Sequence, residues 1–237
     1  MKGSKLVRLL NTLDKLEKIK FKKWLRSPLA TNHTDLRHLM DYLMSRRVFT
    51  DRNLHKEKVF IAVYGAQKYE DAKLRHLMSL GVSLLEEFVR NFLINNRPNY
   101  TEINQANWYK ERQLPKLAQQ QLRRTTASLA ASSTRDEQYF YESMMLEEAK
   151  FSLQGRNERL GGNNLEAIHQ YRTLFFVIAT LKYACIGASH QNLKQTDYSV
   201  PMLNNILAQV EEGQYAEQVG VQLYYNAYKM LKSVEEA

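Results

Sequence analysis

One cysteine in 237 residues, Cys185, excludes an internal disulfide framework and a cysteine-rich zinc site. It stands in an apolar run, residues 174–188, where a cysteine reads as a small buried hydrophobe rather than as a nucleophile. Proline and glycine are scarce as well, four and nine residues, so breaks are few. Between the breaks no segment alternates apolar and polar residues as a half-buried strand does. The chain has no His-Glu-x-x-His helix, no phosphate loop closing on Gly-Lys-Ser/Thr, and no finger, RNP or GXXG signature. Gly155-x5-Gly161-Gly162 is glycine-rich but follows no strand, and reads as a loop. The amino end lacks the unbroken apolar core of an export signal, because Asp14, Lys15, Glu17 and Lys18 interrupt it. The run 174–188 is too short for a membrane span and contains Lys182. A cytoplasmic protein without a transmembrane segment is the expectation.

What the chain has in quantity is helical periodicity. Over 71–94, Leu74, Leu77, Met78, Val82, Leu84, Leu85, Phe88, Val89, Phe92 and Leu93 fall on one broad face at 100° per residue, with Leu80 and Ile94 outside it. Similar reasoning places helices near 4–13, 15–27, 35–47, 54–64, 101–113, 115–132, 136–154, 165–189, 201–212 and 216–234. Asp14 with Glu17 has the spacing of a capping box, and Thr34-Asp35 is the candidate cap of the third helix. Pro115 and Pro201 suit a first helical turn, whereas Pro98 lies in the polar break 95–99. The run 174–188 is apolar nearly all round and reads as a buried central helix. The expected fold is all-α, an irregular array of roughly ten helices forming stacked antiparallel hairpins or a solenoid-like bundle. No repeat period recurs along it. Residues 1–96 read as a basic helical module and 97–237 as a helical-hairpin module continuing the array.

A set of short motifs in the first third resembles a family of uncharacterised bacterial all-helical proteins. They are Leu13-x3-Glu17-x3-Phe21-x3-Leu25-x-Ser27-Pro28 with Asn32, then Lys58-x-Phe60, Tyr64-Gly65 and Tyr69-x-Asp71. Leu74-Arg75-x-Leu77-Met78-Ser79 and Leu84-Leu85-x2-Phe88 follow. The likeness thins after residue 95 and returns near Tyr139, Tyr141, Tyr198 and Leu203. It implies a helical fold, members longer than this chain, and no particular activity. A shorter echo, Leu9-Leu10-x2-Leu13 before Lys20-Phe21-Lys22, resembles the start of pyrin-type interaction domains, a pattern that short Leu/Lys/Phe helices generate readily.

Charge is distributed unevenly. Residues 1–60 hold 15 Lys+Arg against 6 Asp+Glu, and residues 61–237 hold 19 against 19, so the whole +9 excess lies in the first quarter. Lys15, Lys18, Lys22 and Arg26 fall within an arc of roughly 80° on the second helix. Arg46 and Arg47, with Arg52, Lys56 and Lys58, extend the positive surface. Such a stripe is ordinarily a solvated helix face; its functional reading is contact with an acidic protein or a phosphate backbone. Lysine outnumbering arginine argues against base reading. A membrane-surface alternative would use Leu6, Leu9, Leu10, Leu13 and Trp24 as the apolar side, although a globular core needs the same residues.

No metal or cofactor is expected. The six histidines form no i,i+4 pair, and the single Glu-x-x-His, Glu166 to His169, lacks the second motif a di-iron bundle requires. Glu142, Glu147 and Glu148 read as contacts along a helix face. The aromatic clusters Tyr139-Phe140-Tyr141 and Tyr224, Tyr225 and Tyr228 read first as packing and second as a binding surface. On the last helix Val219, Leu223, Met230 and Val234 share a face suited to the preceding helix, which leaves the three tyrosines on the opposite side. That aromatic face is expected to meet a protein partner, a second copy or further chain. The combined expectation is a non-catalytic protein-interaction scaffold. The alternative is a nucleic-acid-associated protein acting through its basic quarter.

Overall fold

The computed structural model describes residues 1–46, 48–154, 164–194 and 198–233. Among them are eleven α-helices and no strand, packed without a regular repeat. They fall into two compact units, Met1–Asn96 and Arg97–Ala237.

The first unit holds α1 (Lys5–Thr12), α2 (Lys15–Leu25), α3 (Thr34–Met44), α4 (Lys56–Tyr64) and α5 (Asp71–Asn95). The starts of its first three helices are set by local hydrogen bonds. Asp14 Oδ1 accepts from the Glu17 backbone N–H, and Glu17 Oε2 accepts from that of Asp14, each at 2.8 Å. This reciprocal box satisfies two donors that the first turn of α2 would otherwise leave open. For α3 the cap is His33, whose Nδ1 accepts from Leu36 N–H, and not Thr34, because the helix begins one residue earlier than expected. The apolar stripe of α5 buries Leu74, Leu77, Leu84, Leu85 and Phe88, while Leu93 and Ile94 at its end are exposed. Phe21 is fully buried against Phe88, ring centroids 5.0 Å apart, with Trp24 5.7 Å from the same ring, so aromatic packing seats α2 on α5. Burying a side chain of that size contributes about 2–3 kcal/mol. Asp71, at the head of α5, accepts from Lys56 Nζ and Tyr69 Oη at 2.7 Å each and pairs with Arg75. That cluster ties α4 to α5 at the surface.

The second unit holds α6 (Pro98–Glu111), α7 (Pro115–Ala131), α8 (Glu137–Leu153), α9 (Leu165–Lys194), α10 (Leu203–Glu211) and α11 (Val219–Ser233). Pro98 itself opens α6, as Pro115 opens α7, because a first-turn residue needs no N–H. Pro201 instead lies in the turn before α10, whose cap is Met202 at φ 64°. Two cores form around α8. One gathers Ile103, Ala106, Ala118, Leu122 and Leu146 from α6, α7 and α8; the other gathers Phe140, Ile178, Leu181, Ile206 and Val221. Helix α8 is apolar on both flanks, so it serves both, and Tyr139 packs against each.

By length and composition α9 could cross a membrane, an 18-residue window within Leu165–Gln191 reaching a mean hydropathy of 1.3. In the fold it packs against α8, α10 and α11, and its Lys182 pairs with Glu137 at 2.8 Å. It is the central helix, but not buried all round as its composition suggested: Phe176, Tyr183 and Ile186 are exposed along one side.

Candidate interaction surfaces

The basic helix α2 is held on the core by Phe21 and Leu25, which turns its opposite side to solvent. Of the four stripe residues, Lys15 and Arg26 are exposed, whereas Lys18 and Lys22 are half-buried. The solvent face is broader than that stripe. It includes exposed Lys20 and Lys23, with Lys20 Nζ 4.7 Å from the centre of the Phe92 ring. Between the two groups of cations stand Leu16, 57% exposed, and Ile19, 45% exposed. Charge counting passes over these two aliphatics. The legible signal was that α2 carries apolar residues on two opposite faces, one of which a single core cannot use. Among the described residues no carboxylate lies within ion-pair distance of any of the six basic side chains between 15 and 26. Other cations of the unit are committed, as in Lys5–Glu86 at 2.7 Å and Lys56–Asp71 at 2.7 Å.

Arg46 is exposed, its guanidinium 4.5 Å from the centre of the Tyr42 ring. Arg47 lies outside the described residues. Leu6, Leu10 and Leu13 are buried, so the apolar side of the membrane-surface alternative is consumed by the core. A cleft of about 450 Å³ runs between α1 and α5, edged by Ser4, Lys5, Ser79, Ser83 and Glu86.

The last helix is oriented the other way round from the sequence expectation. Tyr225 is 8% exposed and donates its hydroxyl to Glu211 Oε1 at 2.8 Å, and Val221 beside it is fully buried. Tyr224 and Tyr228 are half-buried. The open side carries Val219 (78% exposed), Leu223 (64%) and Met230 (71%); Val234 lies outside the described residues. The reversal has a steric cause. Gly220 approaches α9 so closely that a β-carbon there would meet Ile178 Cδ1 at 3.1 Å and the Arg135 carbonyl oxygen at 3.0 Å. The face flanking Gly220 is therefore the one that turns inward. Beside the open stripe a cleft of about 540 Å³ is lined by Leu207, Tyr228, Lys229 and Met230.

Several acidic groups of this unit are engaged in structural contacts. Glu142 is buried and accepts from Asn99 Nδ2 at 3.0 Å and Gln138 Nε2 at 2.8 Å. Glu147 pairs with Lys150, and Glu148 with Arg172. Cys185 is half-buried, its thiol 3.3 Å from the Tyr224 carbonyl, and burial pushes its pKa up, away from the reactive thiolate. Among the described residues no group of three or more His, Cys, Asp or Glu side chains is placed to hold a metal ion. The chain matches no protein-family model, no curated protein and no solved structure.

Proposed function

We propose that this chain is a non-catalytic protein-interaction module that takes a partner along the outer face of α11. The supporting observation is the open stripe of Val219, Leu223 and Met230, which falls within an arc of roughly 40° on a helix seated through its other side. Each square ångström of apolar surface removed from water there contributes about 25 cal/mol. The stripe spans about 16 Å along the helix at 1.5 Å per residue, a length matched by three turns of a partner helix laid alongside. The cleft toward Leu207 offers an adjoining recess for one anchoring side chain.

The reading is tested by placing a photo-crosslinking residue at Leu223 in the full chain inside its native cell. A discrete adduct is expected, absent when the crosslinker stands at exposed Gln120 of α7 and lost on adding Val219→Asp and Met230→Asp. Indistinguishable adducts from positions 223 and 120, or none from either, would remove the basis for this reading. Sedimentation across concentrations then separates a second copy of the chain from a different protein.

A further inference from the structure

We propose that the outer face of α2 docks on an anionic lipid bilayer, with Leu16 and Ile19 entering between headgroups and the surrounding cations binding lipid phosphates and carboxylates. Leu16, Ile19 and Lys23 lie within an arc of roughly 60° opposite Phe21 and Leu25, with Lys15 and Arg26 on one flank and Lys20 on the other. The helix is anchored by its inner face, so its outer face can meet a surface without any rearrangement of the core. Residues 15–26 hold six basic residues and one acidic residue, and that acidic residue, Glu17, is engaged in the cap of the helix. The complement of this face is anionic, and it must also accept two aliphatic side chains.

Three occupants satisfy the charge, and the aliphatics separate them. A phosphate backbone rewards the lysines, but it leaves Leu16 and Ile19 facing polar sugar and base edges that they cannot hydrogen-bond. An acidic peptide needs a recess in which to bury its anchors, and unlike Met230 of α11 neither Leu16 nor Ile19 borders the cleft between α1 and α5 or the one beside α11. A bilayer interface is broad, carries negative charge at the headgroups and becomes apolar a few ångströms below them, which is the order in which this face presents its groups. The depth also fits. Flexible lysine stems bend back toward water and leave their ammonium groups at the phosphate level while the shorter Leu16 and Ile19 point straight in and go deeper.

The test is co-sedimentation of the full chain with vesicles of phosphatidylcholine containing roughly a quarter phosphatidylserine, against phosphatidylcholine alone. Binding to the anionic vesicles only, weakening as ionic strength rises, is expected. Lys20→Glu with Lys23→Glu should abolish it, and Leu16→Gln with Ile19→Gln should weaken it about tenfold at unchanged melting temperature. Leu16→Trp guards against a folding artefact, since brominated lipid in anionic vesicles should quench it more than the wild type, whose signal comes from Trp24 and Trp108. No sedimentation at low ionic strength overturns the proposal, as does a Leu16→Trp variant that binds with no more quenching than the wild type. A glutamine variant that binds vesicles as well as the wild type, while duplex DNA displaces both, overturns it in favour of a phosphate-backbone surface.

Discussion

Gly81 of α5 lies directly beneath Leu6 of α1, so close that a β-carbon at position 81 would stand 2.9 Å from Leu6 Cδ2. The obstacle is the tip of a side chain that can turn. At Gly220 the obstacle is the Arg135 backbone carbonyl, which cannot. Gly81→Ala should therefore be close to neutral, because the gain of about 1 kcal/mol in helix propensity offsets a small displacement of Leu6. Gly220→Ala should cost about 1–3 kcal/mol through overpacking. Urea denaturation of the two variants measures the contrast; equal losses would show that Leu6 is as rigid as the carbonyl.

The face reversal of α11 predicts an asymmetry among its apolar residues. Tyr225→Ser removes a buried ring and the hydroxyl donor to Glu211, and should cost about 3 kcal/mol or more. Leu223→Ser, on the open side, should change stability by less than about 0.5 kcal/mol. Thermal melting of both variants decides which face is core.

Glu142 joins α6 to α8 through Asn99 while also holding Gln138 of its own helix, and Asn99 in turn accepts from Ser128 of α7 at 2.8 Å. Truncating it to Ala leaves two donors without their acceptor and should cost about 2 kcal/mol or more. Glu142→Gln keeps the volume and one acceptor oxygen, and should cost less. Chemical denaturation of the pair checks that ordering.

The Asp71 cluster makes stability depend on pH at both extremes. The hydrogen bond from Lys56, and next that from Tyr69, holds the Asp71 carboxyl below its ordinary range. A carboxyl lowered on folding contributes stability that is present above its unfolded pKa and disappears as pH falls through the folded value. Asp71→Asn should therefore be less stable than the wild type at neutral pH, with the gap closing in acid. The Tyr69 phenol is pushed up to about 12 by its hydrogen bond to Asp71. Its contribution is complete below pH 10.0 and is lost as pH rises through about 12. Ultraviolet titration should show a late-ionising tyrosine component in the wild type, to which Tyr64 and Tyr171 also contribute, and one tyrosine's share of it should move toward pH 10.0 in Asp71→Asn.

The helices of this protein are written locally. The 3.6-residue spacing of Leu74, Leu77, Leu84, Leu85 and Phe88 specifies α5, and the reciprocal bonds of Asp14 and Glu17 specify the start of α2, because each acts within one or two turns of chain. The basic character of the first quarter is likewise legible, since net charge is a sum over residues and not over contacts. The choice between two apolar faces on one helix is of a different kind. On α2 and α11 both sides carry large apolar residues, and periodicity ranks neither above the other. Phe88 chose Phe21 over Ile19, and the approach of Ile178 and the Arg135 carbonyl to Gly220 chose Val221 and Tyr225 over Val219 and Leu223. The sequence by itself determined which residues are helical and where the charge lies. Only the tertiary structure decided which apolar stripes are core and which face solvent, because that depends on what another helix presses against them.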